Sequence, residues 1–427
     1  MKKKFFAIAL LEFFSVVSAQ FSVQVGVPST FTATHAFLYS YNGSKEVIAA
    51  SGVKSKNNWN FKVTTPYSGL MKVYFPDTNT AFMLVSENTD VSAEAKLNQN
   101  KISEIEFSDA VNQSFTSYQN DAKKKEQILP VLLQMQNFYE TNSAFGSALR
   151  KEITKLSTGR QGVDMNSYPF LQYYTQKLQA YVLGDTSLKQ EDYIKFINTS
   201  PEYLESSAQL RQVLYNYLSY SKKETIHRDV EKLLTTLEIE SPRGQTVLSE
   251  FIDLFDIYGM ESLKNKYLSQ AKALKCTVSD RLVTTIKSND NVMMGKVMPD
   301  YKFVNPLNTT AKSIHDVKAN KKLVMFWSST CSHCEAELPK IIQSYKTLQA
   351  HGVQVIGLSF DADADAYLTR AKSLPWINDS ELKGWNSSAS ELFNVHATPT
   401  YFLLDAKNKI VAKPNNFSEV LAILKLK

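Results

Sequence analysis

Phe326-Trp-Ser-Ser-Thr-Cys331-Ser-His-Cys334-Glu-Ala-Glu-Leu-Pro339 joins an apolar run to a close pair of cysteines. The run Leu323-Val-Met-Phe-Trp327 reads as a buried strand. Glu335 to Gln349 carries apolar residues at Leu338, Ile341, Ile342, Tyr345 and Leu348, a helical spacing. The order is therefore strand, short loop, CxxC, helix. The chain has 427 residues and three cysteines, of which Cys331 and Cys334 form the one close pair.

A cysteine at a helix N-terminus faces unpaired backbone N–H groups and the positive end of the helix dipole. Both favour the thiolate, which is the nucleophile. Two intervening residues let the second sulfur attack a mixed disulfide formed at the first. Cys331 is thus the candidate nucleophile and Cys334 the resolving residue. His333, when protonated, favours the thiolate further and tilts the pair towards oxidising behaviour. A structural zinc site wants four nitrogen or sulfur ligands, usually from two separated pairs, and this chain has no second CxxC. A purely structural disulfide remains the plainer alternative.

The stretch resembles the thioredoxin-like proteins of the TlpA and AhpC/TSA kind, whose signature is roughly FWxxWCxxCxxExP. Phe326, Trp327, Cys331, Cys334, Glu337 and Pro339 match it, and Thr330 stands where the family usually has Trp. The resemblance implies a thioredoxin-like α/β domain and thiol–disulfide exchange through a redox-active Cys331–Cys334 disulfide, with no metal and no organic cofactor. It implies that Glu337 moves a proton near the sulfurs. It also implies that Pro399, in Ala397-Thr-Pro-Thr400, is cis and lies against the CxxC. Pro399 then both shapes the site and presents backbone to an extended substrate, which it positions together with Thr398. Thr398, His333 and Trp327 are the residues expected to touch substrate. His396, three residues before Pro399, is a candidate flank.

The chain begins Met1-Lys-Lys-Lys4, followed by an apolar run from Phe5 to Val17 interrupted at Glu12 and Ser15. Val17-Ser-Ala19 offers small residues for cleavage. Residues 1–19 read as a secretory signal, leaving a periplasmic or secreted protein with no stable membrane span. The formal charge of +6 comes from 48 basic and 42 acidic residues scattered through the chain. That gives no reason to expect nucleic acid. One close pair and one distant cysteine in an exported chain suit catalysis better than stapling.

Residues 20–98 read as all-β, a small sandwich or barrel. Short aromatic and β-branched runs, among them Phe31–Thr34, Trp59–Val63 and Leu70–Phe75, alternate with turns such as Asn42-Gly43 and Pro76-Asp77. The pattern resembles the β domain of unknown function that often precedes thioredoxin domains in exported Bacteroidetes proteins. Residues 99–290 lose their strand patterns and predict an all-α domain of six to eight helices. Its tyrosines read as core residues with hydroxyls at the edge. Cys276 reads as buried and inert. A linker is expected at about 288–296 and the α/β domain over 297–427. Asp361, Asp363 and Asp365 fail a calcium loop, with Ala366 at the glycine position and Lys372 at the last ligand position. They read instead as acids beginning a helix.

The expected function is thiol–disulfide exchange with cysteines of other exported proteins, fed by an upstream redox donor or acceptor. Two alternatives stay open. One is a non-enzymatic binding protein with a vestigial CxxC. The other is a thiol peroxidase, although the Pro-x3-Thr-x2-Cys setting of that chemistry is absent.

Overall fold

The computed structural model describes residues 20–98, 101–158 and 167–426. The signal expected over 1–19 lies outside the described residues. Among those described, no helix is long and apolar enough to cross a membrane.

The N-terminal part is a β-sandwich. Its strands are β1 (Phe21–Gly26), β2 (Phe37–Asn42), β3 (Lys45–Ser51), β4 (Val53–Ser55), β5 (Asn58–Val63), β6 (Ser68–Phe75), β7 (Thr80–Glu87), β8 (Val91–Asn98) and β9 (Lys101–Phe107). One sheet has the order β4-β5-β1-β8-β9 and the other β3-β2-β6-β7. Alternation drives the packing: β5 buries Trp59, Phe61 and Val63 and exposes Asn58 and Lys62. These meet Val23, Phe75 and Leu84 in one core. Strand β6 is buried on both faces, because Leu70 and Val85 also pack on Val111, Phe115 and Phe170 from the helices beyond.

Three expectations need correcting here. Phe31–Thr34 is irregular rather than a strand, and the Phe31 ring packs edge-on against Phe75 at 5.0 Å. Its aromatic character reflects burial, not pairing. Strands β1 and β8, which the pattern did not show, run parallel with Val23 opposite Val91. The sheet continues past residue 98 through β9, so the helices begin at Ala110, where Asp109 caps the first by accepting from the Asn112 N–H at 2.8 Å.

Among the described residues, eleven α-helical segments lie between Ala110 and Asn291, more than the spacing predicts. Three consecutive pieces account for part of the excess: Pro169–Gln172 and Gln179–Leu183 flank a π turn at Tyr173–Leu178. The core gathers Tyr193, Leu214, Tyr217, Leu233, Phe251 and Tyr267. Tyrosine hydroxyls end on backbone carbonyls at its rim, Tyr217 on Asp229 at 2.6 Å and Tyr267 on His227 at 3.1 Å.

The β2–β3 turn plugs into this helical part. The fully buried Glu250 carboxylate accepts from the Ser44 N–H at 2.7 Å, from Arg211 at 2.8 Å and from Arg281 at 3.3 Å. Burial opposes its charge, and the two guanidiniums overcome that, holding Glu250 below the usual carboxylate range.

The C-terminal part is a three-layer α/β unit. Its strands are β10 (Lys321–Trp327), β11 (Val353–Ser359), β12 (Ile377–Ser380), β13 (Thr400–Asp405) and β14 (Ile410–Ala412), in the order β12-β11-β10-β13-β14. Strands β10, β11 and β12 are parallel, while β13 runs antiparallel to β10 and β14 antiparallel to β13. Central β10 is apolar from Leu323 to Trp327 because both faces are covered. Leu323, Met325 and Trp327 face the helix Ser332–Ala350, while Val324 and Phe326 face Met298, Phe360 and Phe393. The expected linker is largely absent. The helix Asp280–Asn291 runs almost into this unit, and Val292 is already part of its core.

Candidate active site

Cys331 is the N-cap of the helix Ser332–Ala350. Its sulfur accepts from the Cys334 N–H at 3.3 Å, one of the N–H groups that the helix itself leaves unpaired. The sulfur is half-buried and lies 3.2 Å from the Thr398 carbonyl oxygen. Burial pushes the Cys331 thiol up. Hydrogen bonding with Cys334 and Thr398, together with the N–H groups of Cys334 and His333, outweighs burial, and the thiol sits below its ordinary value.

Cys334 is one turn deeper and completely buried. Burial, reinforced by the neighbouring Cys331 sulfur, pushes its thiol up to about 12. Adjacent sulfurs therefore differ sharply: one is half-buried and favours the thiolate, the other is buried and keeps its proton.

The loop before the pair hangs from Asp361. This buried carboxylate accepts from the Ser328 hydroxyl at 2.8 Å, the Ser329 N–H at 3.0 Å, the Ser329 hydroxyl at 2.8 Å and the Ser359 hydroxyl at 2.7 Å. Ser328 bonds the Thr330 hydroxyl at 3.0 Å and its carbonyl accepts from the Cys331 N–H at 3.2 Å. Thr330 thus stands in a hydroxyl network. Asp361 does not begin the next helix as the sequence suggests. Asp363 does so, accepting from the Ala366 N–H at 3.0 Å.

Glu337 faces inward from the second turn. Its carboxylate accepts from the Lys340 ammonium at 2.7 Å, the Phe417 N–H at 2.6 Å and the Tyr401 hydroxyl at 3.4 Å. Burial raises its pKa, but Lys340 and the other donors prevail and hold the carboxyl below the usual range. Glu337 is therefore an ionised acceptor rather than a neutral acid.

The Thr398–Pro399 peptide is cis and stands beside Cys331. The loop leading to it is tied to the helical part. Asn394, at φ +50°, donates to Asp256 at 2.6 Å, and the His396 ring bonds the Asn394 amide oxygen at 3.2 Å. Asp256 is fixed in turn by Lys264 at 2.6 Å. Nothing local in the sequence marks this bridge, since its partners are 138 residues apart.

Two expected positions fall differently. Trp327 does not reach the surface: it is completely buried, its ring 6.2 Å from Tyr367, and serves as a wall of the core behind the cysteines. Every residue of β10 after Lys321 is enclosed on both faces, so none can touch a substrate. The His333 side chain is exposed beside the pair, and its backbone N–H is what acts on Cys331. Cys276 lies apart from the pair in the helical part, half-buried rather than buried, with the Gln245 amide 3.4 Å from its sulfur.

Residues 294–413 match the model of the AhpC/TSA family. The same region is similar to the thiol-disulfide oxidoreductase ResA of Bacillus cereus, 26% identical over 127 residues, which is 29% of this chain and 70% of that protein. It is similar to ResA of Bacillus subtilis at 21% identity over 122 residues, 29% of this chain and 67% of that one. The C-terminal domain is a thioredoxin-like thiol–disulfide oxidoreductase domain. Among solved structures, the thioredoxin domain of a thiol-disulfide oxidoreductase from Bacteroides vulgatus covers 31% of this chain and 96% of its own, at 24% identity and TM-score 0.29. A thioredoxin-like protein from Bacteroides caccae covers 56% of this chain and 95% of its own, at 15% identity and TM-score 0.36. The thioredoxin-like domain holds both cysteines, Glu337 and Pro399, all within the matched residues.

Proposed function

We propose that this protein exchanges its Cys331–Cys334 dithiol and disulfide with cysteines of other exported proteins. The opposed environments of the two sulfurs carry this reading: Cys331 is capped and half-buried at the helix N-terminus, Cys334 buried with its proton held. In the reductive direction the Cys331 thiolate attacks a substrate disulfide. One substrate sulfur leaves and a mixed disulfide forms on Cys331. Cys334 then loses its proton and attacks the Cys331 sulfur. That closes the Cys331–Cys334 bond and releases the second substrate sulfur, and two electrons pass from the dithiol to the substrate. The oxidative direction is the reverse. The Cys331 thiolate is part of what raises Cys334, so conversion of Cys331 to a mixed disulfide eases the second deprotonation.

Thr398 and Pro399 present main chain beside the reacting sulfur, where an extended substrate segment pairs with it. His333 flanks the same opening. Glu337 receives and returns the proton of the resolving step. The electrons travel through the dithiol with no metal or organic group. Export rests on the N-terminal signal pattern.

Insulin reduction by dithiothreitol tests the reading. The wild type accelerates precipitation of the insulin B chain, and Cys331→Ala and Cys334→Ala abolish the acceleration. Wild-type protein with no effect on insulin would count against exchange on protein disulfides.

A further inference from the structure

The chemistry above leaves the buried Tyr401 hydroxyl without a role. Tyr401 is the second residue of β13 and is 1% exposed. The register of β13 against β10 places it opposite Met325, on the face that carries the cysteine-bearing helix. It packs in the same cluster as Cys334, with Cys331 at the border of that cluster. Its hydroxyl donates to Oε2 of Glu337 at 3.4 Å. In this core the partner of the Tyr401 hydroxyl is the Glu337 carboxylate.

The position matters because Glu337 is pulled from other directions as well. Lys340 holds Oε1 from the solvent side of the same helix, and the Phe417 N–H holds Oε2 from the C-terminal helix Phe417–Leu424. The Tyr401 hydroxyl is the donor that comes from the core cluster shared with Cys334. The charged and titratable groups around it are Glu337, Cys334 and Cys331, and around Glu337 they are Lys340 and Tyr401 itself. Burial, then Glu337, then the two cysteines all push the Tyr401 phenol up, so it stays protonated and serves as a donor throughout the cycle.

We propose that Tyr401 is a positioning residue for the resolving step: its hydroxyl keeps the Glu337 carboxylate turned towards the dithiol, so that the proton leaving Cys334 meets an oriented acceptor. This rests on the thiol–disulfide exchange proposed above. In that step the Cys334 proton passes to the Glu337 carboxylate, and the Cys334 thiolate attacks the Cys331 sulfur of the mixed disulfide. The intramolecular S–S bond forms as the bond to the substrate sulfur breaks. Tyr401 itself gains and loses nothing.

The test uses the full-length protein, with Cys276→Ser in every form compared so that only the pair reacts, and 5,5′-dithiobis(2-nitrobenzoate), which separates the two half-steps. Attack by Cys331 releases a first thionitrobenzoate, and resolution by Cys334 releases a second. Tyr401→Phe removes only the hydroxyl. It is expected to slow the second release about fivefold, the weight of one ordinary hydrogen bond, while the first release changes by less than about twofold. Without its Tyr401 donor the Glu337 carboxyl rises, so the acid limb of the second-release rate moves to higher pH. In the Glu337→Gln background, Tyr401→Phe adds nothing. Glu337→Asp withdraws the carboxylate from the same hydroxyl and reproduces the slowing without touching the tyrosine. A Tyr401→Phe protein with the wild-type second rate and pH profile, beside a slowed Glu337→Gln protein, overturns the role of Tyr401 and leaves the exchange reading standing. A wild type that never releases the second thionitrobenzoate overturns both.

Discussion

The sulfur of Cys331 lies 3.2 Å from the main-chain oxygen of Thr398, 67 residues away. The sheet makes the meeting possible. Phe326 near the end of β10 pairs with Thr400 at the start of β13, so the loop entering one strand faces the loop leaving the other. The nucleophile candidate and the main chain that would bind substrate are thus set against each other by strand register.

The two thiols should titrate far apart. Within the pair, alkylation of the reduced protein by iodoacetamide should occur at Cys331 alone. Its rate should fall as pH drops through a value below that of an ordinary cysteine, because only the thiolate reacts. Cys334 should stay unlabelled in the native protein up to alkaline pH, since its thiol keeps its proton to about 12. Peptide mapping after labelling at neutral pH checks this; equal labelling of both sulfurs would contradict the asymmetry.

Asp361 should be worth far more than a surface acid. Asp361→Ala strands the hydroxyls of Ser328, Ser329 and Ser359 in a buried setting and should cost on the order of 3 kcal/mol. Urea unfolding measures the loss. Because Ser328 also orders Thr330 and the Cys331 N–H, the iodoacetamide rate at Cys331 should change as well. A variant unchanged in both would remove Asp361 from the account.

Glu250 locks the sandwich to the helical part. Glu250→Ala leaves Arg211 and Arg281 short of a partner and frees the Ser44 turn, and should destabilise by about 3–5 kcal/mol. Limited proteolysis should then cut near the β2–β3 turn, which is protected in the wild type. Resistance equal to the wild type would mean that the turn is held by other contacts.

Asp256 should govern the loop before Pro399. Asp256→Ala removes the acceptor of Asn394, and amide exchange over Phe393–Thr398 should quicken about tenfold while the sheet keeps its protection. Unaltered exchange in that segment would show that the helical domain does not hold the loop.

Much of the redox site was legible because it is local. A strand, a loop, two cysteines and a helix follow one another within Leu323 to Gln349, and the N-cap position of Cys331 follows from that order alone. The β-sandwich was legible in outline from alternation. Strands β1 and β8 escaped because their polar positions, Gln24, Ser92 and Glu94 among them, mask short apolar sets. Asp361 was misread because its neighbours Asp363 and Asp365 give a helix-start pattern, while its real partners lie across the sheet. Trp327 was misplaced because a motif match says nothing about which way a strand residue faces. The Glu337–Tyr401 and Asp256–Asn394 contacts span 64 and 138 residues, and only the fold brings them together.

Covalent trapping tests the central claim most directly. Cys334→Ser removes the resolving sulfur, so a protein disulfide attacked by Cys331 should stay attached. Incubated with insulin, this variant should yield a mixed-disulfide adduct that is linked through Cys331, released by dithiothreitol and absent from a Cys331→Ser, Cys334→Ser double variant. Recovery of unmodified protein, or an adduct that survives loss of Cys331, would contradict the assignment of Cys331 as the exchanging thiol.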